Sequence, residues 1–252
     1  MSAKVIKGTV LCLHGFAQTG PNFSVKASGI RKALKKIGYH TVFMNAPIEL
    51  KPADLPFEVS DVSKFGGDTA EDAQFRGWWY TNDDFDIEPA FQSLRDVYAE
   101  SGPFVGILGF SQGAGLATIC LNEWQKIIPG AEPLKFGILY SGFRVKPEKY
   151  QHFYASPIEI PSLHLYGELD TLVSNDRSEE IVKLCKEGTA TVIKHPGGHF
   201  VPNTKDLLKK EVAWVESVLN PEEPVDESAK TSKDEAAELN ELAKEIDQLG
   251  VA

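Results

Sequence analysis

GFSQG at 109–113 is the stretch of this chain best suited to covalent chemistry, because it sets one serine between an apolar run and a helix-forming segment. A serine hydroxyl is a weak nucleophile unless it is exposed and hydrogen-bonded to a base, and a sharp strand-to-helix turn provides that exposure. Such a turn holds Ser111 in a strained backbone conformation where neighbouring side chains collide, so glycine is expected at 109 and 113. The pentapeptide alone also fits an ordinary turn. Two residues further along the chain raise it above that, an acid and then a histidine, each placed just after an apolar run.

The acid is Asp170, in GELD after the run that ends at Tyr166. A carboxylate there can hold an imidazole in one tautomer and stabilise the imidazolium without being protonated itself. Glu168 and Asp176 satisfy the same spacing. The base is His199, in HPGGHF, where two glycines permit a tight loop that turns the ring back toward the serine. The other histidines fit less well: His14 in the first-strand turn, His40 and His164 in strands, His152 in a polar loop, His195 at a strand end. Acyl transfer also needs donors for the oxyanion. The amide of Gln112 opens a helix, and the amide of Phe16, in LHGF at 13–16, can be aimed beside it. Trp78, Trp79, Phe110 and Phe143, with Phe57 and Phe65, form an aromatic set that suits an apolar acyl pocket and equally suits core packing.

Positioning these residues requires strands that alternate with helices, the pattern of an α/β protein with a mostly parallel sheet covered on both faces. Strands are predicted at Thr9–Leu13, His40–Met44, Phe104–Leu108, Phe136–Tyr140, Ser162–Tyr166 and Ala190–Lys194. Helices are predicted at Asn22–Lys36, stopped by Gly38, and at Asp86–Ser101, Gln112–Ile128, Asp176–Lys186 and Leu207–Leu219. Pro47 to Gly77, rich in Pro, Asp and Gly, reads as an irregular insertion able to wall a substrate site.

With 252 residues and 42% hydrophobic content, the chain can bury one sizeable core. Residues 220–252 carry ten of the 36 acidic residues and three of the 26 basic ones, so the net charge of −10 resides mainly in the tail. No basic stripe is present to neutralise phosphates, which argues against nucleic acid as a partner. Cys12, Cys120 and Cys185 are far apart and set among apolar residues, and suit buried thiols better than disulfides or a metal site. The N-terminus lacks the pattern of a signal peptide, and no run approaches the length of a membrane span. A cytoplasmic protein is expected, with the nucleus also open. Residues 1–219 are read as the catalytic domain. Residues 220–252 are read as an acidic linker and a short amphipathic helix whose stripe is Leu239, Leu242, Ile246 and Leu249. That helix suits docking on its own domain or a protein partner.

LCLHGFAQTG at 11–20, NAP at 45–47, RGWWY at 76–80, GPFVGILGFSQGAG at 102–115, YSGF at 140–143, YGELDTLV at 166–173 and HPGGHFVPN at 195–203 together resemble the FSH-type serine hydrolases, a fungal and animal family. The resemblance spans residues 8 to 219. It implies an α/β-hydrolase fold, Ser111, Asp170 and His199 as a triad, and carboxylesterase or acyl-thioesterase activity on a small acyl substrate without a cofactor. Two other functions compete with hydrolysis: an acyltransferase or carrier-bound thioesterase of lipid or polyketide metabolism, and a non-catalytic binding protein on a hydrolase fold.

Overall fold

Six parallel strands form the central sheet of the computed structural model, which describes residues 6–56, 58, 74–81 and 85–220. They are β1 (Gly8–Leu13), β2 (Tyr39–Met44), β5 (Gly106–Phe110), β6 (Phe136–Tyr140), β7 (Ser162–Gly167) and β8 (Ala190–His195), ordered β2-β1-β5-β6-β7-β8. β5 and β6 are buried at every residue, as strands covered on both faces must be. Alternation along the strands divides the core in two. Leu11, Leu13, Ile107 and Leu139 pack beneath α3 (Glu88–Ser101), α4 (Gln112–Ile127) and α5 (Asn175–Leu184). Val10, Cys12, Leu108 and Ile138 meet α1 (Gly20–Lys26), α2 (Ser28–Ile37) and α6 (Lys205–Leu219) on the other side.

Three expectations need correction. The single helix predicted over Asn22–Lys36 is two, divided at Ala27, with Thr19 capping the first through its side chain. Asn203 spans the break, accepting from the amide of Gly29 and donating to the carbonyl of Lys26, so backbone groups freed there are paired. The insertion read as irregular contains a two-stranded antiparallel ribbon, β3 (Ile48–Leu50) with β4 (Phe75–Gly77), that shares a small apolar cluster with Ala17 and Leu55. Strands this short, separated by a long stretch of chain, show no readable alternation. A 3₁₀ segment, Glu148–Tyr154, occupies what was read as loop. Phe57, Phe65 and the tail over 221–252 lie outside the described residues.

Candidate active site

Ser111 sits at the turn between β5 and α4 with φ 53° and ψ −115°, a conformation that side-chain-bearing residues seldom adopt. Close packing maintains it. A Cβ on Gly109 would lie 2.6 Å from Ala114 Cα, and one on Gly113 would lie 2.5 Å from the carbonyl oxygen of His14. The two glycines therefore let β5, α4 and the end of β1 approach one another closely. Gln112 is the first residue of α4, where helix amides have no partner within the helix and carry the positive end of the dipole.

Asp170 follows β7 and is tied down from three directions. Its Oδ1 accepts from the amides of Leu172 (3.0 Å) and Val173 (2.9 Å). Its Oδ2 accepts from the hydroxyl of Ser141 (2.8 Å) and meets His199 Nδ1 at 2.7 Å. Burial works to raise the Asp170 pKa, but the hydrogen bond and charge of His199, with the Val173 and Ser141 donors, hold it below the ordinary carboxylate value. An ionised carboxylate only accepts, so the His199 proton sits on Nδ1 and Nε2 is left as the basic nitrogen. The His199 ring rests on Phe110, centroids 4.8 Å apart.

Ser111, Gln112, His199 and Phe16 all line one cavity of about 390 Å³, within the range of small-molecule sites. Trp79 and Phe143 line it as well. Trp78 and Phe110, expected beside them, do not. Trp78 is fully buried, its indole N–H donating to the carbonyl of His14 and its amide to Gln112 Oε1, while Phe110 is wedged between His199 and Phe23. Both are drawn inward because they fill space beneath the turns that present Phe16, Ser111 and His199. Neither Glu168 nor Asp176 contacts His199 in this way; Asp170 alone does so among the described residues.

His14 is structural. Its Nε2 accepts from the amide of Ala46 and its Nδ1 faces the carbonyl of Gly15, a pairing only the neutral ring can make, and burial lowers its pKa to about 4. It thereby fixes the turn that carries Phe16. Two residues went unnoticed in the sequence, Ser141 and Arg177. YSGF at 140–143 was the available signal for the first, and nothing local marks the second. Among the described residues there is no cluster of His, Cys, Asp and Glu suited to a metal ion, and no helix is long and apolar enough to cross a membrane.

Known proteins of similar sequence and fold are found. "Family of serine hydrolases 2" of Saccharomyces cerevisiae is 36% identical over 221 residues, covering 83% of this chain and 98% of that protein. "Esterase OVCA2" of Danio rerio is 35% identical over 208 residues, covering 77% and 89%. Among solved structures, Arabidopsis thaliana SOBER1 (TM-score 0.57, 20% identity, 84% and 99% covered) and Zea mays acyl-protein thioesterase 2 (TM-score 0.57, 20% identity, 85% and 95% covered) share the α/β-hydrolase fold. The family model described as "Serine hydrolase (FSH1)" matches residues 1–211, and with relatives this similar along most of their length the chain belongs to that serine hydrolase family.

Proposed function

We propose that the chain hydrolyses carboxylic esters or acyl thioesters through an acyl-serine intermediate, with Ser111 as nucleophile, His199 as general base and Asp170 as its orienting acid. The observation that carries this reading is the buried Asp170 carboxylate bonded to Nδ1 of His199, a ring that lines the same cavity as Ser111. The names of the relatives, a serine hydrolase and an esterase, and of an acyl-protein thioesterase of like fold, support it.

In this mechanism His199 Nε2 takes the Ser111 hydroxyl proton as Oγ attacks the acyl carbon. The carbonyl oxygen, now negative, is held by the amides of Phe16 and Gln112. The imidazolium returns the proton to the leaving oxygen or sulfur, whose bond to the acyl carbon breaks, and water attacks the acyl-serine by the same steps to regenerate Ser111. Trp79 and Phe143 contribute apolar wall to the acyl group. Residues 1–219 are the catalytic unit on this reading and 220–252 an appendage. The three free cysteines, two of them fully buried, suit a reducing cytoplasmic setting.

The test is labelling by a fluorophosphonate probe, followed by a panel of p-nitrophenyl esters and acyl thioesters with water, alcohols and thiols as acceptors. Wild type should be labelled and Ser111→Ala should not. Absence of labelling in the folded wild type would leave only a binding protein, and faster transfer to an added alcohol than to water would identify an acyltransferase.

A further inference from the structure

Arg177 and Lys146 bring positive charge to a cavity whose wall, away from Thr81, Ser111, Gln112 and His199, is apolar, with Trp79, Phe143, Val145 and Val173 among its groups. Arg177 lies in the first turn of α5, its guanidinium carbon 4.4 Å from the centre of the Phe143 ring. Stacking on a ring occupies the flat face of a guanidinium and leaves its in-plane N–H fork to other partners. Among the described residues, no carboxylate forms an ion pair with Arg177 or Lys146. Asp170, the acid closest to the chemistry, is already engaged by His199, Ser141 and two backbone amides. Burial opposes the Arg177 charge, and the fields of Glu180 and Asp170 offset part of that.

A half-buried cation whose fork has no partner among the described residues is costly against a purely apolar substrate, which would strip its remaining water and return no hydrogen bond. A planar or tetrahedral oxyanion returns two. Resting on the proposed hydrolysis at Ser111, we infer that the substrate carries an oxyanion group, a carboxylate or a phosphate ester, which the Arg177 fork binds in the cavity with Lys146 beside it. The same chemistry arises from a carboxylate at the far end of the acyl chain or from a phosphate on the leaving group.

Binding to full-length Ser111→Ala, measured by calorimetry, tests this without turnover. Four pairs differ only in the anion: the mono-p-nitrophenyl esters of adipic, pimelic and suberic acids against their methyl-capped forms, and butyryl-phosphopantetheine against butyryl-pantetheine. The anionic member of at least one pair should bind about tenfold tighter or more, an advantage that shrinks with added salt. Adding Arg177→Met should abolish that advantage, and adding Arg177→Lys, which keeps the charge but not the fork, should reduce it at least about threefold. A dicarboxylate pair responding places the anion on the acyl side, and the pantetheine pair responding places it on the leaving group. No advantage in any pair, or one that survives both Arg177 variants, overturns the inference. Failure of the hydrolase reading is separately visible, as a wild type with no Ser111-dependent turnover of neutral p-nitrophenyl butyrate.

Discussion

The hydroxyl of Ser141 donates to Asp170 Oδ2, the same oxygen that meets His199 Nδ1. Ser141 follows β6, is buried, and has φ 48°, while its amide donates to the carbonyl of Leu165 on β7. It is thus a positioning residue, acting on His199 through the carboxylate. A hydrogen bond to a charged acceptor is worth about 1.5–3 kcal/mol, so Ser141→Ala should lower kcat about tenfold to a hundredfold with KM nearly constant. Ser141→Gly separates this from backbone strain, since glycine tolerates the positive φ but still lacks the hydroxyl. Both variants should lose activity together, with phosphonate labelling slowed in parallel. Recovery of kcat in the glycine variant would assign the effect to strain.

Gln112 has two separable parts. Its amide begins α4, while its buried side chain accepts from the Trp78 amide and donates to the Trp79 carbonyl, tying the ribbon's exit to the turn between β5 and α4. Gln112→Ala keeps the amide but leaves two buried backbone groups unpaired, at about 1–3 kcal/mol each. The expected outcome is a stability loss of about 2–6 kcal/mol in denaturant unfolding and a raised KM, as Trp79 loosens at the cavity wall. A large fall in kcat with stability intact would instead put the side chain in the chemistry.

The sheet was legible because β5 and β6 are short apolar runs that can only be interior strands, and each site residue comes just after such a run. The requirement at Gly109 was legible as a steric one local to its turn, whereas the one at Gly113 is set by the carbonyls of Leu13 and His14, distant in the chain. What could not be read depends on partners distant in the chain. The break at Ala27 is bridged by Asn203, and the ribbon pairs Glu49 with Arg76 across a long insertion. Trp78 and Phe110 suit the pocket and the core equally on sequence, because composition does not say which way a ring turns. Ser141 and Arg177 gain meaning only once β6, β7 and α5 are side by side.

Gly113 makes the steric requirement testable. A methyl group there would meet the carbonyl oxygens of Leu13 and His14, which are backbone and belong to the turn that presents Phe16. Neither carbonyl can move without shifting β1 or the His14 anchor, so Gly113→Ala should cost about 3 kcal/mol or more, at the upper end for overpacking. Gly130→Ala provides a contrast: φ there is 83° but nothing lies within 4 Å, so the cost should stay near 1 kcal/mol, the penalty of the backbone alone. Equal destabilisation of the two variants in urea would mean that contact around Gly113 is not the controlling factor.

Buried titratable groups set opposing pH dependences. Glu211 on α6 accepts from the hydroxyl of Tyr140, its other oxygen has no partner, and burial pushes its pKa up to about 7. Between pH 4.5 and 7 the folded chain keeps a proton that the unfolded chain has released, so this group's contribution to stability falls as pH rises, by about 3 kcal/mol in all. His14 and His164 act in the other direction. Burial lowers both to about 4, so below pH 6.5 the unfolded chain gains protons that the folded chain refuses, and their contribution is lost as pH falls. Stability of the wild type should therefore peak between about pH 6 and 7. Glu211→Gln leaves the two histidines unchanged and isolates the carboxyl. The stability of this variant relative to wild type should rise by about 3 kcal/mol between pH 4.5 and 7.5 in denaturant titrations, whatever its absolute offset. A constant difference across that range would show that Glu211 ionises alike in the folded and unfolded chains.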